Sequence, residues 1–249
     1  GEDYASWNWR ANGGTTAANS TGDIATVTQV DPSGCFSIVT YTGDGTAGQT
    51  LGHGLSAAPD CIIVKNRDQA DSWAVYNVSM GNAAHLLLDT ADPSTTGSAY
   101  WGSTTPTSTL WTTGNDGKLN SNTEKYVAHC FANCEGYIKA GSYYGNGNAD
   151  GPFVYTGFSP ALVIVKFTGS GENWVMMGTK MNPYNVADNM LRPSYNGAES
   201  VGSTYQIDIL SNGFKPRTTW EGWNGSAGGN SGYAYLAISS NPFQYATAR

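Results

Sequence analysis

A run of eight residues occurs twice in this 249-residue chain: Ala58-Pro59-Asp60-Cys61-Ile62-Ile63-Val64-Lys65 returns as Ser159-Pro160-Ala161-Leu162-Val163-Ile164-Val165-Lys166, with Pro59 and Pro160 101 positions apart. Each run is a proline, which needs no ladder donor at a strand entry, followed by β-branched and aliphatic residues ending in lysine. That pattern predicts a strand buried on both faces. The match extends upstream, where Tyr41-Thr42-Gly43-Asp44-Gly45 answers Tyr143-Tyr144-Gly145-Asn146-Gly147, and downstream, where Ser72-Trp73-Ala74-Val75 answers Asn173-Trp174-Val175-Met176. A repeat this long predicts two modules of one plan. Each closes on a tyrosine-led strand, Lys125 to Phe131 in one and Gly232 to Ile238 in the other.

Asp3-Tyr4-Ala5-Ser6-Trp7-Asn8-Trp9 has the same tyrosine-led alternation with no module before it. It is expected to complete the sheet of an absent upstream repeat or to be donated to a neighbour. Residues 1–22 are therefore read as a closing or donated strand plus a polar linker from Ala11 to Gly22, residues 23–135 as the first module and residues 136–249 as the second.

Between the repeated runs the chain alternates short apolar segments with Gly, Asn, Asp and Pro turns at intervals near ten residues. Strands are expected at 24–30, 35–42, 49–51, 61–66, 72–77, 85–89, 109–113 and 124–131 in the first module. The second module repeats the plan at 136–143, 152–156, 162–167, 173–177, 189–191, 205–210 and 233–238. Tyr184 to Met190 is the one stretch expected to form even a short helix, and Thr90 to Ser108 reads as a long loop. The fold class is all-β: two tandem antiparallel β-sandwiches of jelly-roll or lectin-like type.

Charged residues are 12% of the chain and the net charge is −7. With no cluster of Lys and Arg to neutralise phosphates, sequence-independent nucleic-acid binding is excluded as an expectation. No apolar run reaches membrane-span length, and the first residues lack the basic head and apolar centre of an export signal. Solubility must come from hydroxyls and amides, a surface common on extracellular and virion β-proteins and found also on some cytoplasmic ones.

Cys35, Cys61, Cys130 and Cys134 show no CxxC or zinc-finger spacing. They are expected first as small buried hydrophobes; one disulfide, Cys61 with Cys134, is the alternative, and a catalytic thiol the last option. No metal or cofactor is expected. Asp44, Asn115, Asp116 and Asp150 could lend oxygen ligands to a Ca²⁺ loop but show no EF-hand or nonapeptide-repeat spacing, and His53, His85 and His129 stand isolated in turns or strands, where a structural role is expected. The carboxylates are scattered, so no pair is brought to the separation that glycoside hydrolysis needs. A sugar-binding reading rests on aromatics among loop-forming residues: Tyr100, Trp101, Trp111, and Trp220 and Trp223 with Asn224. Exposed rings of this kind stack on the apolar faces of sugars; the competing reading is that they cap the sandwich cores. Trp73 and Trp174, in repeated strand positions, are expected in the core.

Several strings resemble a repeat domain of uncharacterised function found in large structural proteins of tailed phages, especially marine ones, and often labelled tail fibre. They are Phe36-Ser37-Ile38-Val39-Thr40-Tyr41-Thr42-Gly43, Gly52-His53-Gly54-Leu55, Ile62-Ile63-Val64-Lys65-Asn66-Arg67, Tyr126-Val127-Ala128 and Asp150-Gly151-Pro152-Phe153-Val154-Tyr155-Thr156-Gly157. Asn241 to Arg249 is similar to the carboxyl terminus of such proteins, and Trp7 to Gly14 to the junction with an upstream repeat. The resemblance implies a structural virion protein, extracellular, assembled with other virion proteins as a homo-oligomer, a trimer first among the options; adhesion to a host-surface glycan through the loop aromatics is the specific function expected. It brings no catalytic residues. A capsid-decoration or filament-forming subunit that donates Glu2 to Trp9, and a polysaccharide depolymerase, are the alternatives.

Overall fold

The computed structural model describes residues 6, 8–12, 14–226 and 232–239. The first module contributes β1 (Ala17–Asn19), β2 (Thr26–Val30), β3 (Phe36–Thr42), β4 (Gln49–Gly52), β5 (Cys61–Asn66), β6 (Ala74–Asn77), β7 (Ala84–Leu87), β8 (Thr95–Thr96), β9 (Leu110–Thr113) and β10 (Lys125–Phe131), with one-turn helices α1 (Ser98–Trp101) and α2 (Gly117–Asn120). The second adds β11 (Ile138–Tyr143), β12 (Val154–Tyr155), β13 (Pro160–Phe167), β14 (Val175–Gly178), β15 (Asn189–Met190), β16 (Ser200–Val201), β17 (Ile207–Leu210), β18 (Gly213–Pro216) and β19 (Tyr233–Ser239), with α3 (Glu221–Asn224).

The strands pair antiparallel into a large sheet, β1-β2-β3-β10-β5-β6-β7-β8, and its counterpart β11-β19-β13-β14. Small outer sheets, β4-β9 in the first module and β12-β18-β17 in the second, cover one face of each. The other faces of the two large sheets pack on each other. Side-chain alternation sorts every central strand accordingly. In β5, Ile62 and Val64 enter the first sandwich core while Cys61 enters the core between the modules; in β13, Val163 and Val165 enter the second sandwich core while Leu162 and Ile164 enter the shared one. This is why the duplicated runs are apolar at consecutive positions. The result is two β-sandwiches back to back, as the all-β expectation requires.

The duplication holds atom by atom in the turns. Asn120 at the end of α2 is buried; its amide accepts from the Asp44 N–H and donates to the Thr46 and Gly114 carbonyls. Asn224 at the end of α3 does the same with the Asn146 N–H and the Asn148 and Thr218 carbonyls. The Tyr41 hydroxyl donates to the Leu119 carbonyl, and the Tyr143 hydroxyl to that of Trp223. Gly43 and Gly145 pass so close to the Ser121 and Gly225 carbonyls that a Cβ would lie 2.3 Å from the oxygen in both modules.

Several sequence expectations are corrected. Tyr184 to Met190 forms no helix: Asn189–Met190 is a strand, and the helical turns lie instead where a chain reversal is capped, by Asp116 at α2 for example. The polar stretch read as a linker contains β1, which pairs with β2. The loop from Thr90 to Ser108 holds β8 and α1. The disulfide is Cys35–Cys134, while Cys61 and Cys130 are free and buried. The reason is register. The Ala132 N–H donates to the Cys35 carbonyl, so the turn leaving β10 passes beside the entry to β3, whereas Cys61 points into the core between the modules. Most of the Asp3–Trp9 strand expectation and all of Asn241 to Arg249 lie outside the described residues; Trp9 itself is irregular and packs on Phe36 and Phe131.

Candidate recognition face

The aromatic residues read from sequence as sugar platforms are mostly core. Trp101 and Trp111 are buried, 5.9 Å apart edge to face, and continue through Tyr76 and Tyr41 into the first sandwich core. Tyr100 is buried against His85. Trp223 is the counterpart of Leu119 in the second core, and Asn224 is the bracket described above. Trp220 is half-buried, its ring edge to face with Tyr205. The buried rings of Tyr100, Trp101, Trp111 and Trp223 leave no free face to stack on a sugar, whereas Trp220 is half-exposed. Their Gly-rich surroundings mark the tight turns over the sandwich ends, where glycine is needed for packing.

Exposed aromatics lie elsewhere, some of them at the outer sheet of the second module, with Tyr144 and Tyr195 exposed outside it. Tyr155 is 64% exposed, Phe153 47% and Tyr184 83%. Val154 and Phe214 point into the second core, so Tyr155 on β12 and its cross-strand neighbours Gly213 and Leu210 face outward. Gly213 is required here, since a Cβ would meet the Val154 carbonyl at 2.1 Å and the Phe153 ring at 2.9 Å. Tyr184 stands at the opposite margin. Its neighbour Asn185 clasps the free edge of β17, accepting from the Ile209 N–H (2.9 Å) and donating to the Ile209 carbonyl (2.7 Å), and Ala187 exchanges both main-chain bonds with Ile207.

Charged groups border these rings. Lys215 and Asp208 are cross-strand neighbours, Arg217 contacts Asp208 at 3.4 Å and Asp150 at 3.0 Å, and Lys215 reaches Asp150 at 2.9 Å. The Lys215 hydrogen bond, with its charge, holds the Asp150 carboxyl below the usual carboxylate range. Asp150 and Asp208 thus share one guanidinium, but a proton-donating acid for glycoside hydrolysis needs the opposite shift. Of the oxygens once considered for Ca²⁺, Asp44 accepts from Thr46 and Asn120, and Asp116 caps α2. Among the described residues, no three His, Cys, Asp or Glu side chains converge on a common point. His53 is buried, taking the Leu55 N–H on Nδ1 with Nε2 3.2 Å from the Thr107 carbonyl, and burial lowers its pKa. Thr156 plays the same part in the second module, its hydroxyl oxygen accepting from the Phe158 N–H at 3.5 Å.

The same surface in the first module is closed. Gly52 stands where Tyr155 stands, and the Asn19 side chain lies over it, within 2.6 Å of where a Cβ would be. The exposed rings therefore arose in one module at a position the other covers. The signal that could have found them was the alternation Phe153-Val154-Tyr155, whose two outward positions carry rings where the first module has Thr50 and Gly52.

Compared with known proteins, the chain matches over residues 1–242 a family model described as Domain of unknown function (DUF7483). No curated protein and no solved structure matches it.

Proposed function

The chain belongs to the DUF7483 family, and we propose that it is a structural virion protein, a pair of β-sandwich repeats of a phage tail fibre or similar appendage, that holds a glycan-binding face toward the host surface. The virion setting rests on the resemblance of its repeat strings to tail-fibre repeats. The binding role is carried by one observation: Tyr155 is exposed where its counterpart Gly52 is covered in the first module, with exposed Phe153 beside it and Tyr184 at the far margin. Exposed rings offer apolar faces to the C–H face of a pyranose, while Lys215, Asp208, Asp150 and Arg217 beside them offer donors and acceptors to its hydroxyls.

Glycan-array binding of the purified chain tests the reading together with labelling of intact particles by an antibody to it. Tyr155→Ala and Tyr184→Ala are expected to weaken glycan binding about fivefold each without loss of stability, in line with an exposed stacking contact of about 1 kcal/mol. Trp111→Ala should instead destabilise the fold. Binding that survives both tyrosine changes would overturn the assigned face, and absence of the chain from particles would overturn the virion role.

A further inference from the structure

One sheet edge sealed in the first module is open in the second. The Thr156 N–H donates to the Asn212 carbonyl, and alternation along β12 then turns Val154 toward β18 and the main-chain groups of Phe153 and Tyr155 away from it. None of these outward groups has a partner among the described residues. In the first module the equivalent groups belong to Thr50 and Gly52, and a passing segment of the chain satisfies them. The Thr50 N–H donates to the Asp23 carboxylate (3.0 Å), the Ile24 N–H to the Thr50 carbonyl (3.1 Å), and the Thr26 hydroxyl to the Gly52 carbonyl (2.9 Å). Ile24, bridged in parallel to Leu51, fills the core margin. Among the described residues, the second module has no such segment of its own. Only six residues, 132–137, lie between β10 and β11, and they are tied down by the Cys35–Cys134 disulfide and by the Asn133 amide bonded to both main-chain groups of Ala140.

We propose that the open edge of β12 accepts a strand from a second copy of this chain, and that Asp3–Ser6 is the donor. The sealing segment reads acid, apolar, alanine, hydroxyl: Asp23-Ile24-Ala25-Thr26. That order recurs at Asp3-Tyr4-Ala5-Ser6. Laid parallel to β12, the donor presents the Asp3 carboxylate to the Phe153 N–H, the Tyr4 N–H to the Phe153 carbonyl and the Ser6 hydroxyl to the Tyr155 carbonyl. Strand addition of this kind takes affinity from main-chain bonds and specificity from alternate side chains. The donor comes from another copy because Trp9 is anchored on Phe36 and Phe131, in the layer between the modules. The three residues from Ser6 to Trp9 span about 10 Å when extended, whereas the outer sheet lies a further sheet spacing of about 10 Å beyond β13 and β19, around their margin. Donor and acceptor differ, so the contact is heterologous and builds a closed ring or an open filament. This inference does not depend on the glycan reading, since it uses the edge of β12 and not its outward face.

Sedimentation of the chain between about 1 and 100 μM tests it, a range in which a short added strand of micromolar affinity is expected to show. The intact chain should associate, and removal of residues 1–8 should leave it monomeric. Phe153→Pro, which removes the acceptor N–H on an edge strand where proline is tolerated, should do the same. Phe153→Ala keeps that N–H and should associate as the intact chain does, with the circular dichroism of both variants showing that the fold is retained. In the associated state, exchange of the Phe153 amide should slow about tenfold or more. A monomer at every concentration, association that survives removal of residues 1–8, or equal loss in Phe153→Ala and Phe153→Pro would overturn the proposal.

Discussion

Two asparagines and a lysine hold this fold together at points where the chain has no regular partner. Asn120 and Asn224 each replace a missing stretch of ladder with one side chain bonded to several main-chain groups. Changing Asn224 to Leu strands those groups in a buried turn, and each unsatisfied group costs about 1–3 kcal/mol. The expected loss is about 3 kcal/mol in urea unfolding, with Asn120→Leu costing a similar amount. Lys166, fully buried, donates to the Ala91 carbonyl of the first module and the Glu172 carbonyl of its own. Burial brings its pKa down to about 8, against the opposing pull of Glu172 and Asp92. Its folded value lies below its unfolded one, so between the two the unfolded chain binds the extra proton and stability rises with pH; below pH 8 both states are protonated and the cost of burying the charge is constant. Relative to Lys166→Met, the intact chain should gain about 2 kcal/mol between about pH 7 and pH 9.5. Buried tyrosines titrate alike in both proteins, so the difference isolates the lysine; a parallel pH profile would contradict this.

At the scale of elements, the disulfide and the outer sheets decide what each module can do. Cys35–Cys134 closes a loop of 99 residues that contains nearly the whole first module. Replacing both cysteines by alanine should cost about 4–5 kcal/mol by chain-entropy arithmetic, read as a fall in the urea midpoint that reductant reproduces in the unmodified chain. The central strands were legible in the sequence because burial on both faces leaves a continuous apolar run, and β5, β10, β13 and β19 lie where that pattern placed them. The short pieces were not. β18 reads Gly-Phe-Lys-Pro and α3 Glu-Gly-Trp-Asn, and neither has a period of its own, being held by side-chain brackets from distant loops. The disulfide partner was equally hidden, because register between β3 and β10 chooses it and spacing along the chain does not. The burial of Trp101, Trp111 and Trp223 was hidden for a related reason. A tryptophan among glycines reads as exposed, yet glycine here marks the close approach of main chain to a buried ring, while exposed Tyr155 lies in a two-residue strand with no period of its own.

For the whole molecule, the central question is whether two sandwiches behave as one unit. The core between them contains Phe36, Cys61, Val75, Leu86 and Phe131 from one module and Leu162, Ile164, Trp174, Leu236 and Ile238 from the other. Polar contacts cross it as well: the Trp174 indole N–H donates to the Leu87 carbonyl at 2.7 Å, the Asn77 amide to the Tyr235 carbonyl at 3.2 Å, and Ser94 bonds the Thr168 carbonyl through both its N–H and its hydroxyl. Interfaces between ordinary neighbouring domains are more polar than such a core and permit relative motion. Here each large sheet would expose an apolar face if the other module left, so unfolding of one removes the cover of the other. The chain is therefore expected to unfold in a single transition, with amides of β5 and β13 losing exchange protection at the same denaturant concentration. Leu236→Asp buries a charge at the centre of that shared core without touching either sandwich core. It should split the transition in two. Coincident transitions in that variant would mean that the coupling runs through the disulfide-bound turn at Cys134 and not through the packed faces.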